Sequence, residues 1–140
     1  MKLNFIKTNP SGNTTILVDS AVPEKEQSVV AKRLLAYDSV QAEQVGFLTI
    51  PDDTTDYNIA LRMMGGEFCG NATRAYGMYI AQQKGGLSSV RLRVSGCDHA
   101  VTAQVDLKSG TARAEMPCPR SVKRVTVNGH EGTLVDLTGI

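Results

Sequence analysis

The sequence lacks most of the features that assign a chain to a class at once. No apolar run approaches the roughly 18 residues a membrane-spanning helix needs, and the N-terminus, Met1-Lys2-Leu3-Asn4-Phe5-Ile6-Lys7, lacks the long apolar stretch of a secretory signal. There is no excess of either charge. Fifteen Lys+Arg against fourteen Asp+Glu leave a formal +1, which gives no electrostatic case for nucleic acid or an anionic membrane as partner. Cysteine is sparse: Cys69, Cys97 and Cys118 are an odd set without CxxC spacing, so neither a disulfide framework nor a zinc ribbon is favoured. The segments GxxxxGK[ST], GxGxxG and HExxH are absent, leaving nucleotide and zinc-protease readings unsupported. No metal or cofactor is expected. Nor is there an internal repeat or a low-complexity tract. The default is a cytoplasmic chain with reduced thiols.

What is present fits one domain across residues 1–140. Hydrophobic residues are 41% and charged residues 21%, enough for a packed core. Two β-like runs at 3–8 and 14–19 flank Asn9-Pro10-Ser11-Gly12-Asn13, which is nearly all turn formers. A helix is expected next, capped by Ser20, with Pro23 and Glu24 in its first turn and Val29, Val30, Leu34 and Leu35 at helical spacing. Strands are predicted at 44–50 and 57–63, joined by a turn at 51–56. A glycine-rich turn, Met64-Gly65-Gly66-Glu67-Phe68, leads into a second helix over 70–83, ended by Gly85-Gly86. Strands follow at 89–95, 101–107, 111–115, 123–127 and 132–137, with gaps short enough to join only antiparallel neighbours. Two helices and about nine strands, clustered late, indicate α+β rather than a doubly wound sheet. The second helix carries Ala72, Ala75, Tyr76, Met78, Tyr79, Ile80 and Ala81 around most of its circumference. Such a helix is buried on most sides, and a sheet curling round it would supply the surroundings.

Chemistry is suggested where that helix begins. Cys69-Gly70-Asn71 follows a glycine turn, and the unpaired N–H groups and positive dipole end of a helix N-terminus favour an anion. A thiol so placed can ionise near neutral pH and act as base or nucleophile, and the same N–H groups can hold a substrate carboxylate. Two further polar spots are Asn13, closing the first turn, and Glu43-Gln44, opening an apolar strand. His99 and His130 fall in turns. Either could pair with Cys69 in a hydrolase-like dyad, but their spacing does not indicate it.

Glu67-Phe68-Cys69-Gly70-Asn71-Ala72-Thr73-Arg74 resembles the first catalytic-cysteine motif of the diaminopimelate epimerase superfamily, cofactor-independent amino-acid racemases and epimerases. The closer match is to its histidine racemase branch. It is carried by Asn9 to Asn13 with Thr15-Ile16-Leu17-Val18, by Glu43-Gln44-Val45-Gly46-Phe47, by Glu67 to Thr73, by Val94-Ser95-Gly96-Cys97 and, more weakly, by Glu115-Met116-Pro117. The resemblance implies a half-enzyme fold, a mixed and largely antiparallel sheet wrapped round a central helix. It also implies a two-thiol mechanism without pyridoxal phosphate or metal, in which one thiolate removes the α-proton and a second thiol reprotonates the opposite face. Carried over by position, Cys69 is one acid/base thiol, Gly70 and Asn71 offer backbone N–H groups to the carboxylate, and Asn13 and Gln44 match positions that line the substrate pocket, with Glu43 beside them taken as substrate-binding.

Met63-Met64-Gly65-Gly66 stands where diaminopimelate epimerases have an Asn-Ala-Asp-Gly-like segment, and Glu43 beside Gln44 suits a cationic or imidazole side chain. Histidine or another basic amino acid is therefore expected before diaminopimelate. The resemblance covers only the N-terminal half of such enzymes, and neither Cys97 nor Cys118 lies in a segment like their second cysteine motif. Alone, the chain is expected to be inactive. The second thiol would come from a missing C-terminal domain or a second copy of the chain. The alternative reading is an amino-acid-binding or assembly module without catalysis.

Overall fold

The computed structural model describes residues 2–49 and 59–137. Nine strands and two α-helices occur among them: β1 (Phe5–Thr8), a 3₁₀ turn (Pro10–Gly12), β2 (Thr15–Val18), α1 (Glu24–Leu35), β3 (Gln44–Thr49), β4 (Ala60–Met63), α2 (Gly70–Gln83), β5 (Ser89–Val94), β6 (Ala100–Asp106), β7 (Thr111–Ala114), β8 (Ser121–Val127) and β9 (His130–Asp136). The expected α+β class holds, with element ends shifted by a residue or two. The turn predicted at 51–56 and the first residues of the 57–63 strand lie outside the described residues.

Seven strands form one sheet in the order β1-β2-β3-β4-β5-β6-β7. Its pairs are antiparallel except β2–β3 and β4–β5. Parallel neighbours need a crossover, and the two helices supply them: α1 joins β2 to β3, and α2 joins β4 to β5. Because β3 and β4 run antiparallel, right-handed crossovers from such oppositely directed pairs put the helices on opposite faces. The core follows this division. Leu17, Leu61, Met63, Leu92, Val101 and Ala103 pack with α2, while Ile16, Val18, Val45 and Phe47 pack with Ala31 and Leu34 of α1. All four residues of β2 are consequently buried, as in a strand covered on both faces.

The sheet curls over α2, which packs against β2, β5, β6, β7 and the 3₁₀ turn. No residue from Gly70 to Ala81 is fully exposed; exposure begins at Gln82 and Gln83. The close approach depends on Gly77, where an added Cβ would collide with the Ala103 side chain on β6. The sheet does not close on itself. Between its two edges, Ile6 and Thr8 of β1 and Thr111 and Ala112 of β7 face each other across a cleft of about 430 Å³, floored by Ala75, Met78 and Tyr79 of α2.

Three expectations need correction. Ser20 does not cap α1: its Oγ accepts the Asn4 N–H at 2.7 Å, tying down the start of β1 instead. Pro23 is the N-cap residue, and the first turn carries Glu24 and Glu26, whose charges suit the positive end of the helix. His130 is not in a turn. The turn is Asn128-Gly129 alone, both with positive φ, and His130 pairs with Val127 across a two-residue hairpin. Finally, the late strands do not all join the main sheet, since β8 and β9 pair only with each other.

Candidate functional site

The chain reverses at Gly66, whose φ of +78° a side chain would strain, and Gly66 N–H closes onto the Met63 carbonyl at 2.9 Å. Ser95, just past β5, secures the loop that follows. Its Oγ donates to the Glu67 carbonyl at 2.7 Å and accepts Met63 N–H at 2.9 Å. Phe68 is buried, and Cys69 then occupies the N-cap of α2 with extended backbone angles.

Cys69 fills that position as Ser or Asp ordinarily would. Its Sγ accepts the Ala72 N–H at 3.4 Å, and its carbonyl accepts both the Thr73 N–H at 2.9 Å and Thr73 Oγ1 at 2.8 Å. Gly70 and Asn71, the first two residues of the helix, have no intrahelical acceptor for their N–H groups. Cys69 is 9% exposed, and its thiol donates to Gln44 Oε1 at 3.1 Å. The side chain expected to line a substrate pocket thus bonds the sulfur itself.

A cleft of about 530 Å³ opens beside this helix end, lined by Phe68, Cys69, Gly70, Asn71 and Arg74 on one side and by β7 with Arg113 and Met116 on the other. Asn13, Glu43 and Gln44 do not line it but attach to its wall through hydrogen bonds. Asn71 Nδ2 donates to Asn13 Oδ1 at 3.0 Å, and Asn13 Nδ2 donates to Glu43 Oε2 at 3.1 Å. The same carboxylate oxygen accepts Thr14 N–H at 2.8 Å. All six predicted residues, Asn13, Glu43, Gln44, Cys69, Gly70 and Asn71, therefore fall in one neighbourhood, where the turn before β2, the start of β3 and the start of α2 meet.

Sequence reasoning missed Arg74. It stands three residues beyond Asn71, hence on the same helix face, and that spacing was the signal available. Its Nη2 donates to Asn71 Oδ1 at 2.5 Å and to Ser11 Oγ at 3.1 Å. Arg113 gave no signal, being one exposed residue on a short strand. The remaining thiols and imidazoles stay apart from Cys69. Cys118 is exposed, and Cys97 is half-buried with its thiol pushed up chiefly by burial, then by the Asp98 carboxylate. His99 bonds Asp98 at 2.7 Å, and His130 is exposed on β9, so neither forms the dyad that a Cys–His hydrolase requires. Among the described residues no group of His, Cys, Asp and Glu is arranged to hold a metal ion, and no helix is long and apolar enough to cross a membrane.

Comparison with known proteins shows the family of the chain. The chain is 37% identical over 130 residues to a histidine racemase of Staphylococcus aureus strain Mu50, covering 90% of this chain and 46% of that protein. It is 31% and 30% identical to histidine racemases from two strains of Fusobacterium nucleatum subsp. nucleatum, covering 99% of this chain and 52% of each relative. It thus spans about half the length of the curated relatives it matches. The family model for the histidine racemase CntK N-terminal domain matches residues 2–139. On that match, over nearly its whole length, the chain belongs to the histidine racemase N-terminal domain family.

Proposed function

We propose that residues 1–140 are the N-terminal domain of a two-domain, cofactor-independent histidine racemase with a diaminopimelate epimerase-like fold, in which Cys69 is one of two acid/base thiols. The observation that carries this reading is Cys69 Sγ at the N-cap of α2, hydrogen-bonded to Ala72 N–H and to Gln44 beside a cleft. In the reaction the Cys69 thiolate takes the α-proton from one face of histidine, and the C–H electron pair stays on the α-carbon, delocalised into the carboxylate. The N–H groups of Gly70 and Asn71 face that growing charge, which is the interaction that lowers the barrier. A thiol on the other face then gives its proton to the carbon, and the two sulfurs exchange protonation states.

Gln44 suits both states. Its Oε1 accepts from the thiol, and a rotated amide would donate Nε2–H to the thiolate. Asn13 and Glu43 back the cleft wall through their hydrogen bonds to Asn71, and a carboxylate behind that wall favours imidazole over the carboxylate-bearing chain of diaminopimelate. The second thiol comes from the C-terminal domain, or failing that from a second copy of this chain, because Cys97 and Cys118 do not line the cleft. Supporting a covering domain, nothing among the described residues covers the apolar side chains of β8–β9 or the Cys69 cleft. The reaction requires both thiols to be reduced, and the cytoplasm is the compartment that keeps thiols so.

The test uses L-histidine in D₂O with the protein at its full natural length. Chiral chromatography should show D-histidine carrying α-deuterium, and Cys69→Ser should lower the rate about a hundredfold or more. Residues 1–140 alone should form no D-histidine. Rapid inversion by the Cys69→Ser variant would overturn the assignment. Binding of L-histidine without any α-proton exchange by the full-length protein would favour the non-catalytic module.

A further inference from the structure

Arg74 is a half-buried guanidinium that makes no salt bridge among the described residues, and its Nε is buried without a hydrogen-bond partner. Holding a cation this way is unfavourable unless a charge elsewhere compensates. The hydrogen bonds leaving it lead to one. Arg74 Nη2 donates to Asn71 Oδ1, Asn71 Nδ2 to Asn13 Oδ1, and Asn13 Nδ2 to Glu43 Oε2. A guanidinium has only donors and a carboxylate only acceptors. Arg74 therefore obliges Asn71 to turn its oxygen toward the helix and its N–H toward Asn13, and Glu43 obliges Asn13 to turn its N–H outward. The two ends demand the same sense, so neither amide can flip without losing two bonds. Successive bonds in such a chain also polarise one another. Ser11 Oγ, held by the same Nη2, fixes the turn that carries Asn13.

We propose that Arg74 is a positioning residue: acting through Asn71 and Asn13, it sets the direction of both amides and the placement of the Glu43 carboxylate behind the wall of the site. The consequence for histidine binding rests on the racemase reading above; the chain of amides does not. No hydrogen bond joins Arg74 to Cys69 or Gln44, so its influence falls on binding and not on proton transfer.

The side-chain NH₂ signals of Asn13 and Asn71 in the isotope-labelled 140-residue chain read the chain of amides directly. Arg74→Met should move and sharpen the Asn13 pair, two hydrogen bonds away, as that amide becomes free to turn, while Arg74→Lys, which keeps a donor for Asn71, should restore it in part. Glu43→Gln, which no longer dictates a sense, should move the Asn71 pair from the other end. Should Arg74→Met fail to fold, Arg74→Gln decides: its amide can donate or accept, so it no longer dictates the sense of Asn71 and the Asn13 pair must shift as before. Unmoved Asn13 signals in the folded Arg74→Met or Arg74→Gln protein would overturn the proposal. In the full-length protein Arg74→Met should raise KM for L-histidine about tenfold, the size of one charge-assisted hydrogen bond, with kcat nearly unchanged. A fall in kcat at constant KM would contradict a positioning role. If the unsubstituted full-length protein leaves L-histidine unchanged, the racemase reading falls while the amide spectra still decide the role of Arg74.

Discussion

The seven-stranded sheet and the β8–β9 hairpin are built from similar sequence and have opposite fates. β5 reads Ser-Val-Arg-Leu-Arg-Val and buries Val90, Leu92 and Val94 against α2. β8 reads Ser-Val-Lys-Arg-Val-Thr-Val, with Val125 and Val127 alternating and Val122 out of phase with them; Val122 and Val127 are 60% and 62% exposed, and Leu134 and Val135 of β9 are exposed too. The hydrogen-bond ladder is complete in both. The difference is a cover. β5 has a helix on its apolar face, and β8–β9 has none among the described residues. An alternating pattern states that a face is meant to be covered, not that anything within the same stretch of chain covers it.

The comparison is sharpened most by emptying the covered region. Phe47 is 1% exposed, in the layer between the sheet and α1. Phe47→Ala should destabilise by about 3–5 kcal/mol, the loss of a buried aromatic plus its cavity. Urea denaturation followed by circular dichroism measures it, and a cost below about 1 kcal/mol would mean that the α1 side is not a packed core.

Nearly as large is a pH effect confined to the α2 side. The Tyr76 hydroxyl is pushed up to about 12 from its ordinary 10.0, first by burial, then by the Asp19 carboxylate and by Tyr79. Below pH 10 both folded and unfolded chains keep this proton, and stability does not depend on it. Between 10 and 12 the unfolded chain loses the proton while the folded one keeps it, so stability falls as pH rises, by about 1.4 kcal/mol per unit. Denaturation at pH 9, 10.5 and 11.5 should show that slope, and Tyr76→Phe should flatten it. An unchanged slope in the variant would assign the effect to other groups.

Gly77 tests how tightly the sheet holds α2. A methyl group there would meet Ala103, so Gly77→Ala should cost about 1–3 kcal/mol despite the better helix propensity of alanine. A stabilised Gly77→Ala protein would mean that helix and sheet separate easily.

How much of this was legible in sequence divides along the same line. The enclosure of α2 was readable because Ala, Tyr and Met encircle it, and its start because Gly65-Gly66 precedes Cys69. Helical spacing also placed α1, but not its cap. Ser20 was eligible by type, and only the folded chain brings Asn4 N–H to compete for its oxygen. Long-range partners were likewise hidden. The Asn13–Asn71 bond joins residues 58 apart, and no periodicity reports on it. Cys69, Asn13, Glu43 and Gln44 were found as separate motifs. That Asn13, Glu43 and Gln44 meet is a property of the parallel β2–β3 pairing, which puts Thr15 opposite Gln44 and so the residues before them side by side, while the antiparallel β3–β4 pairing brings the chain leading to Cys69 to the start of β3.

The smallest expected effect is in the hairpin, and it carries the comparison furthest. Leu134 is a large apolar residue in the middle of a fully paired strand, which in the main sheet would make it a core position. At 55% exposure it has little buried area to lose. Leu134→Thr keeps β propensity while removing apolar surface, so its effect in the 140-residue chain should stay within about 0.5 kcal/mol. Solubility should rise, because Val122, Val127, Leu134 and Val135 expose apolar area on a two-stranded ribbon. The same substitution in the protein at full natural length discriminates further. If a following domain covers the hairpin, Leu134→Thr should cost about 1–3 kcal/mol there, as for a buried leucine made polar. A large cost already in the 140-residue chain would show that the hairpin is packed within it, and the contrast between the two sheets would be lost.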